Sequence, residues 1–548
     1  MRRVLLVAGA GLLVLAGAVA VAWPHRIAIP GMLDRMRDPI GEPRAVVWDA
    51  GPDTPDAPVS ERPPNIIVIL VDDLGINDIT TFGGGVADGD LPTPNIDAIA
   101  ADGAVFTNGY AGNATCAPSR AAIMTGRYAT RFGFEFTPAP VAFHRLLGSF
   151  DYSPRDAIFH EDRVADTIPL EEQGLPPSET TMAELLQDRG YQTLFIGKWH
   201  LGEAEPFQPQ NQGFDEWVGF YPGASLFLPV DDPDAVNLRQ DFDPIDPFLW
   251  ANLNYAVRWN GSERFPPEGY MTDYFADRAV DAIEANANRP FFLYLALNAP
   301  HTPLQALRSD VEALSHIEDE RVRIYAAMIR AVDRAVGQVR AALEEQGLAE
   351  NTLVVFSSDN GAPGYIGFDD LNAPYRGWKA TFFEGGIRVP MLVEWPARIP
   401  PGTVIDTPAA HVDLFATAAA AAGAEMPADR VIDGQDLMRF VDGDPASDRA
   451  LFWRSGHYRV LLHDGWKLQV SEHPPRTWLF HLAEDPTEQV DLSGREPDRV
   501  AAMRARLDSI NAEQAEPIWP SLVEPPIYID RHLLEARTLD DDYVHWPN

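Results

Sequence analysis

Six places in the chain carry side chains able to do chemistry as a group. Asp72-Asp73 and Asp359-Asn360 offer only oxygens, and a third aspartate converging on an adjacent pair is strongly repelled unless a cation lies between them. Such donors suit a hard divalent ion, Ca²⁺ or Mg²⁺, and not zinc. Arg120, Lys198, His200, His301 and Lys379 form a cationic set suited to a tetrahedral oxyanion such as sulfate or phosphate. Cys116 is the only cysteine, so no intramolecular disulfide is open to it and its value lies in packing or reactivity. Pro118 and the run Ala121-Ala122-Ile123-Met124 place it at a helix start, where unpaired N–H groups, the dipole and Arg120 favour an anion. A small buried core residue is the plainer reading, and the local run leaves both open.

The elements that must position these groups share one form. Asn65–Val71 ends in Asp72-Asp73, Gln192–Ile196 leads to Lys198 and His200, Phe291–Leu297 leads to His301, and Thr352–Phe356 leads to Asp359-Asn360. Unbroken apolar runs of this length, with helical patterns between them, read as strands buried on both faces of a mostly parallel sheet. The fold class is therefore α/β, with helices on both faces of a central sheet. Ligands bind such sheets at the carboxyl ends of the strands, where all four polar clusters fall. Singly, each has a plain explanation: an Asp pair caps a turn, Asp-Asn-Gly makes a hairpin turn, and a Lys or His after a strand is solvated. Four on one edge are hard to dismiss.

The motifs resemble those of the type I sulfatases, a formylglycine-dependent family of the alkaline phosphatase superfamily. Cys116-Ala117-Pro118-Ser119-Arg120 followed by Thr125-Gly126-Arg127-Tyr128 is similar to the family's first signature, and Gly197-Lys198-Trp199-His200-Leu201-Gly202 to its second. Thr93-Pro94-Asn95, His301-Thr302-Pro303, Asp359-Asn360-Gly361, Arg376-Gly377-Trp378-Lys379 and Glu384-Gly385-Gly386-Ile387-Arg388 follow in the family order. The resemblance implies that a separate maturation system oxidises Cys116 to formylglycine (3-oxoalanine), which is hydrated in the resting enzyme. It implies one Ca²⁺, or Mg²⁺ in some relatives, held by Asp72, Asp73, Asp359, Asn360 and an oxygen of residue 116. Arg120, Lys198 and Lys379 then balance charge on the sulfuryl group, His301 is the general acid and His200 the base. The substrate implied is a small aryl or carbohydrate sulfate ester. Two alternatives stay open: a phosphate or phosphonate ester hydrolase using the same formylglycine, and a catalytically silent oxyanion-binding relative.

The composition, 46% hydrophobic and 23% charged, fits a large globular enzyme. Lys and Arg total 43 against 81 Asp and Glu, and a net charge of −38 argues against nucleic acid and anionic lipid as partners. Met1-Arg2-Arg3 and the apolar run to Trp23 read as an export signal or N-terminal anchor, which implies a periplasmic or secreted protein. Residues 24–62 read as a linker or surface strap and 63–444 as the catalytic domain. Residues 445–548 read as an antiparallel α+β subdomain and tail. Within the catalytic domain, Thr137–Gly174 and Tyr221–Pro267 lack periodicity and are expected to be cleft loops that set specificity. The aspartates of the second loop are expected to be solvated.

Overall fold

The computed structural model describes residues 27–444 and 448–548, so the export or anchor segment expected at 1–23 lies outside the described residues. The central sheet is built from nine strands: β1 (Asn65–Asp72), β2 (Ala104–Phe106), β3 (Gln192–Lys198), β4 (Glu216–Phe220), β5 (Arg258–Trp259), β6 (Phe291–Pro300), β7 (Thr352–Ser358), β8 (Met391–Glu394) and β9 (Thr403–Ile405). Their spatial order is β9-β2-β8-β7-β1-β6-β3-β4-β5. The five central strands, β7 to β4, run parallel, while β8 and β5 turn antiparallel at the flanks. Only the centre of the sheet needs helices on both faces, and there the sequence is continuously apolar.

Alternation along β1 shows how one strand serves two cores. Ile67, Ile69 and Val71 join the cluster that includes the helix Glu320–Glu345, whereas Ile66, Val68 and Leu70 join the cluster under the helix Cys116–Thr125. Each such aliphatic side chain contributes about 1.5–3 kcal/mol on full burial. The sheet is thereby held between two cores, with the carboxyl ends of its central parallel strands along one edge. The long helix buries Ile324, Ala327, Met328, Ala331, Val332, Ala335 and Val339, a stripe that follows the 3.6-residue helical period.

After the catalytic body, four antiparallel strands (Ala450–Ser455, Tyr458–His463, Trp466–Glu472 and Pro475–His481) form a separate sheet, with the helix Pro497–Asn511 against it. The tail then returns. Trp519 packs edge-on to Phe134 at 5.3 Å, and Val523–Glu524 adds to Ile158–Phe159. The N-terminal strap also carries structure: it holds a helix, Ile29–Arg37, and Trp48 is buried.

The aspartate-rich loop corrects one expectation. Asp243 and Asp246 are not solvated but buried, accepting backbone N–H groups from Ile245 and Gln240, and Trp250 donates to Asp246. They act as local turn caps.

Candidate active site

The carboxyl ends of β1, β6, β3 and β7 bring Asp72, Asp73, His301, Lys198, His200, Asp359 and Asn360 to one edge, and the Cys116 helix starts beside them. Asp73 and His200 sit at φ of 67° and 59°, and Ala380, next to Lys379, at 65°. Left-handed backbone at three non-glycine positions is costly, and its clustering here marks a site where geometry is imposed by the surroundings. Gly197 shows how tight the packing is. At φ 113°, a Cβ there would lie 1.9 Å from the Ala296 carbonyl oxygen.

Cys116 is the first residue of its helix and is buried. Its Sγ lies 3.5 Å from Asp72 Oδ1, 3.9 Å from Asp73 Oδ1 and 3.3 Å from Lys379 Nζ. Lys198 Nζ donates to Asp72 Oδ2 at 2.5 Å, and Lys379 Nζ to Asp73 Oδ2 at 2.9 Å. Arg120 spends its donors on neighbours of the thiol. Its Nε and Nη2 donate to Asp359 Oδ2 at 2.9 and 2.7 Å, and its Nη1 donates to the Lys198 carbonyl. Burial, then the Asp359 carboxylate, push the Cys116 thiol far up, so it is not the thiolate that a helix start alone suggests.

Three carboxylates thus meet three permanent cations. Burial pushes Asp73 up, but Lys379, His301 and Lys198 outweigh it and hold the carboxyl well below its usual range. Burial and Asp72 raise Asp359 against the pull of Arg120. Burial drives both histidines towards the neutral form: His301 falls to about 3 and His200 well below its ordinary value, with Lys198 adding to the effect on each. His301 Nδ1 lies 2.6 Å from the Thr302 carbonyl and must donate to it, which leaves the lone pair on Nε2, 3.6 Å from Asp73 Oδ2.

The donor set fits a hard divalent cation. Ligand atoms of Asp72, Asp73, Cys116 and His301 lie within 4.8 Å of one another. Asn360 donates its Nδ2 to Asp73 Oδ1 at 2.7 Å, while its buried Oδ1 has no hydrogen-bond partner. An orphaned amide oxygen beside two adjacent carboxylates is an acceptor awaiting a positive centre. Asp359 stands slightly apart, its Oδ1 accepting the Asp73 N–H at 3.2 Å.

Two participants escaped the sequence reading. Tyr365 donates its hydroxyl to Asp73 Oδ2 at 2.8 Å and accepts from Lys379 Nζ at 3.3 Å. It lies in the loop that follows β7, where no local pattern singles out a tyrosine. His411 is buried beneath the Cys116 helix, 3.1 Å from Ser119 Oγ and 2.9 Å from Ser357 Oγ, and no local pattern marks it. Ser225 lines a 210 Å³ pocket on the segment that packs against His200, with Glu203, Asn252, Asn254, Arg258 and the strap's Asp34 and Asp38.

The chain is similar to several known proteins. The family model described as Sulfatase matches residues 64–424, more than half of the chain. N-acetylgalactosamine-6-sulfatase of Canis lupus familiaris is 35% identical over 475 residues, covering 79% of this chain and 82% of the relative. Steryl-sulfatase of Mus musculus is 32% identical, covering 82% and 81%. Among solved structures, Ps i-CgsB in complex with k-i-k-neocarrahexaose superposes with a TM-score of 0.69 at 30% identity, covering 84% of this chain and 95% of the other.

Proposed function

The chain belongs to the sulfatase family, and from that premise we propose that it cleaves a carbohydrate sulfate ester at the Cys116 centre. Hydrolysis of a sulfuric ester follows from membership, as does the family's general use of a formylglycine and a divalent metal. The placing of that chemistry on particular residues is our reading. Cys116 is the residue to be oxidised, and because it is buried at a helix start, the modifying system must reach it before the chain closes. Asp72, Asp73, Asp359 and Asn360 would hold the cation, with Ca²⁺ as the ion and Mg²⁺ as its substitute. When bound, the cation supplies Lewis-acid stabilisation of an oxygen nucleophile at position 116.

The remaining steps belong to this chain's own side chains. Lys379, Lys198 and Arg120 supply three positive charges around position 116, in a buried setting where each contact to a sulfuryl oxygen counts for more than in water. His301 has its Nδ1 proton fixed on a carbonyl, so Nε2 is the nitrogen that gains and returns a proton to the leaving oxygen. The negative charge of a bound ester favours that protonated form. His200 is neutral with a buried, unpartnered Nδ1, and it is free to accept a proton from residue 116.

The carrying observation is the convergence of Cys116 Sγ with Asp72, Asp73 and Lys379 within 3.3–3.9 Å. The carbohydrate preference is supported by the polar pocket beside His200 and by the sugar sulfatases among its relatives. Matured protein is assayed with matched aryl sulfate and aryl phosphate esters, then with 6-O-sulfated hexosamines. The expected ranking puts sulfate ahead of phosphate by orders of magnitude, with turnover of a sulfated sugar. Faster phosphate cleavage refutes the reading.

A further inference from the structure

A second cluster of ionisable groups lies away from the Cys116 centre, where the returning tail meets the C-terminal sheet. Glu524 sits on the short tail strand paired with Ile158–Phe159, and its side chain is 2% exposed. Three imidazoles surround its carboxylate. His160 Nε2 lies 2.7 Å from Oε1, His473 Nδ1 2.7 Å from Oε2, and His457 Nε2 3.4 Å from Oε2. His457 and His473 come from the two turns at the same end of the antiparallel sheet, and their rings are 4.5 Å apart. The His457 side chain is 8% exposed, and its Nε2 points into the cluster with no hydrogen-bond partner.

The geometry points to a second metal site, for a first-row transition ion of the Zn²⁺ type, formed by His457 Nε2, His473 Nδ1 and Glu524. The three ligand atoms lie within 4.8 Å of one another. Bonds of about 2.0–2.1 Å at tetrahedral angles separate ligand atoms by about 3.3 Å, so the 3.4 Å pair already fits and the 2.7 Å pair must open slightly. Two imidazoles with one carboxylate select a borderline ion, in contrast to the all-oxygen donors at Asp72 and Asn360. His160 holds the other carboxylate oxygen and orients it.

Proton balance is satisfied without net release. His473 passes its Nδ1 proton to Nε2 on a ring that is 41% exposed. His457 passes its Nε2 proton to Nδ1, giving up a 3.2 Å contact from the Glu472 N–H that is worth about 1 kcal/mol. His457, His473 and Glu524 line a cavity of 570 Å³, which leaves room for water as a fourth ligand. The ion ties the tail strand to two turns of the C-terminal sheet, so its role is to fasten the tail.

The test is a Zn²⁺ titration of the full chain with Ca²⁺ in excess, to keep the Cys116 centre occupied, followed by X-ray absorption at the zinc edge. One Zn²⁺ per chain, a first shell of imidazole and oxygen, and a rise in Tm are expected. His473→Ala and His457→Ala each weaken binding at least about tenfold, in line with the loss of a site's organising group. His532→Ala, which disrupts a separate Asp369–His532–Glu535 group, leaves binding unchanged. Circular dichroism confirms that each variant folds, and the exposed His473 makes its alanine variant the safer one. Absence of Zn²⁺ binding under Ca²⁺, or binding that survives both His473→Ala and His457→Ala, overturns the assignment, as does loss on His532→Ala alone.

Discussion

Asp73 is the residue on which the centre turns, because it meets Lys379, Asn360, Tyr365 and His301 at once. Tyr365 is the partner whose removal is most informative. Tyr365→Phe deletes the hydrogen bond to a carboxylate oxygen and the longer one from Lys379 and leaves the ring, so a loss of about 1.5–3 kcal/mol is expected in whichever state depends on them. That corresponds to a fall in kcat/KM of roughly ten- to a hundredfold with an unchanged fold, measured on an aryl sulfate. Unaltered kinetics would remove Tyr365 from the site. The sequence carried the aspartates, Lys198 and His301 plainly, because strand ends announce themselves by the switch from apolar to polar. Tyr365 and His411 were hidden for physical reasons. A tyrosine in a loop has no periodicity to break, and a buried histidine that bonds serines from two distant segments is defined only by tertiary contact.

At the scale of elements, the short helix Glu384–Ile387 and the C-terminal sheet are joined by a buried ionic group. Lys467 Nζ lies 2.7 Å from Glu384 Oε1 and 3.0 Å from Glu488 Oε1, with all three side chains 0% or nearly 0% exposed. Lys467→Met leaves the buried Glu488 without a cation and Glu384 with Arg388 alone, and a loss of about 3–5 kcal/mol in stability at neutral pH is expected, read by denaturant titration. A neutral result would mean that the pair relaxes to solvent. The tail strand gives a pH signature. Burial pushes Glu524 up, but His457, His473 and His160 outweigh it and hold the carboxyl at about 2. A carboxyl depressed below its ordinary 4.5 stabilises the fold above that pH, and the contribution is lost as pH falls from 4.5 towards 2. Metal-free Glu524→Gln protein is expected to show a flatter stability profile across that window; an identical acid limb contradicts it. Strand runs and the long helix were legible because their periods are local. The buried caps Asp243 and Asp246 were not, since burial of a turn depends on what the loop folds against.

For the whole molecule, the relevant property is a net charge of −38 around a centre that must receive an anion. The positive field is confined to the cleft, so a polyanionic substrate is repelled at long range and attracted only on arrival. Raising salt from about 10 mM to about 150 mM shortens the screening length from about 30 Å to about 8 Å. The kcat/KM for a multiply sulfated oligosaccharide is therefore expected to rise with salt, more than that for a singly charged aryl sulfate. A fall with salt would show that the cleft's own field reaches further than the acidic surface. Among the described residues no helix is long and apolar enough to cross a membrane. The parallel sheet with a trailing antiparallel one was readable from the order of apolar runs. The return of the tail onto the body leaves only aromatic residues such as Trp519 as a mark in the sequence, and its route leaves none.

Turnover at this centre requires residue 116 to leave its cysteine form while Asp72, Asp73 and Asn360 present oxygens beside it. Peptide mass analysis across Cys116, on protein co-expressed with a formylglycine-generating system, measures this directly. Exchange of sulfur for oxygen makes the peptide lighter, and the converted fraction is predicted to track specific activity across preparations. Full activity in protein whose residue 116 remains a free thiol contradicts the account.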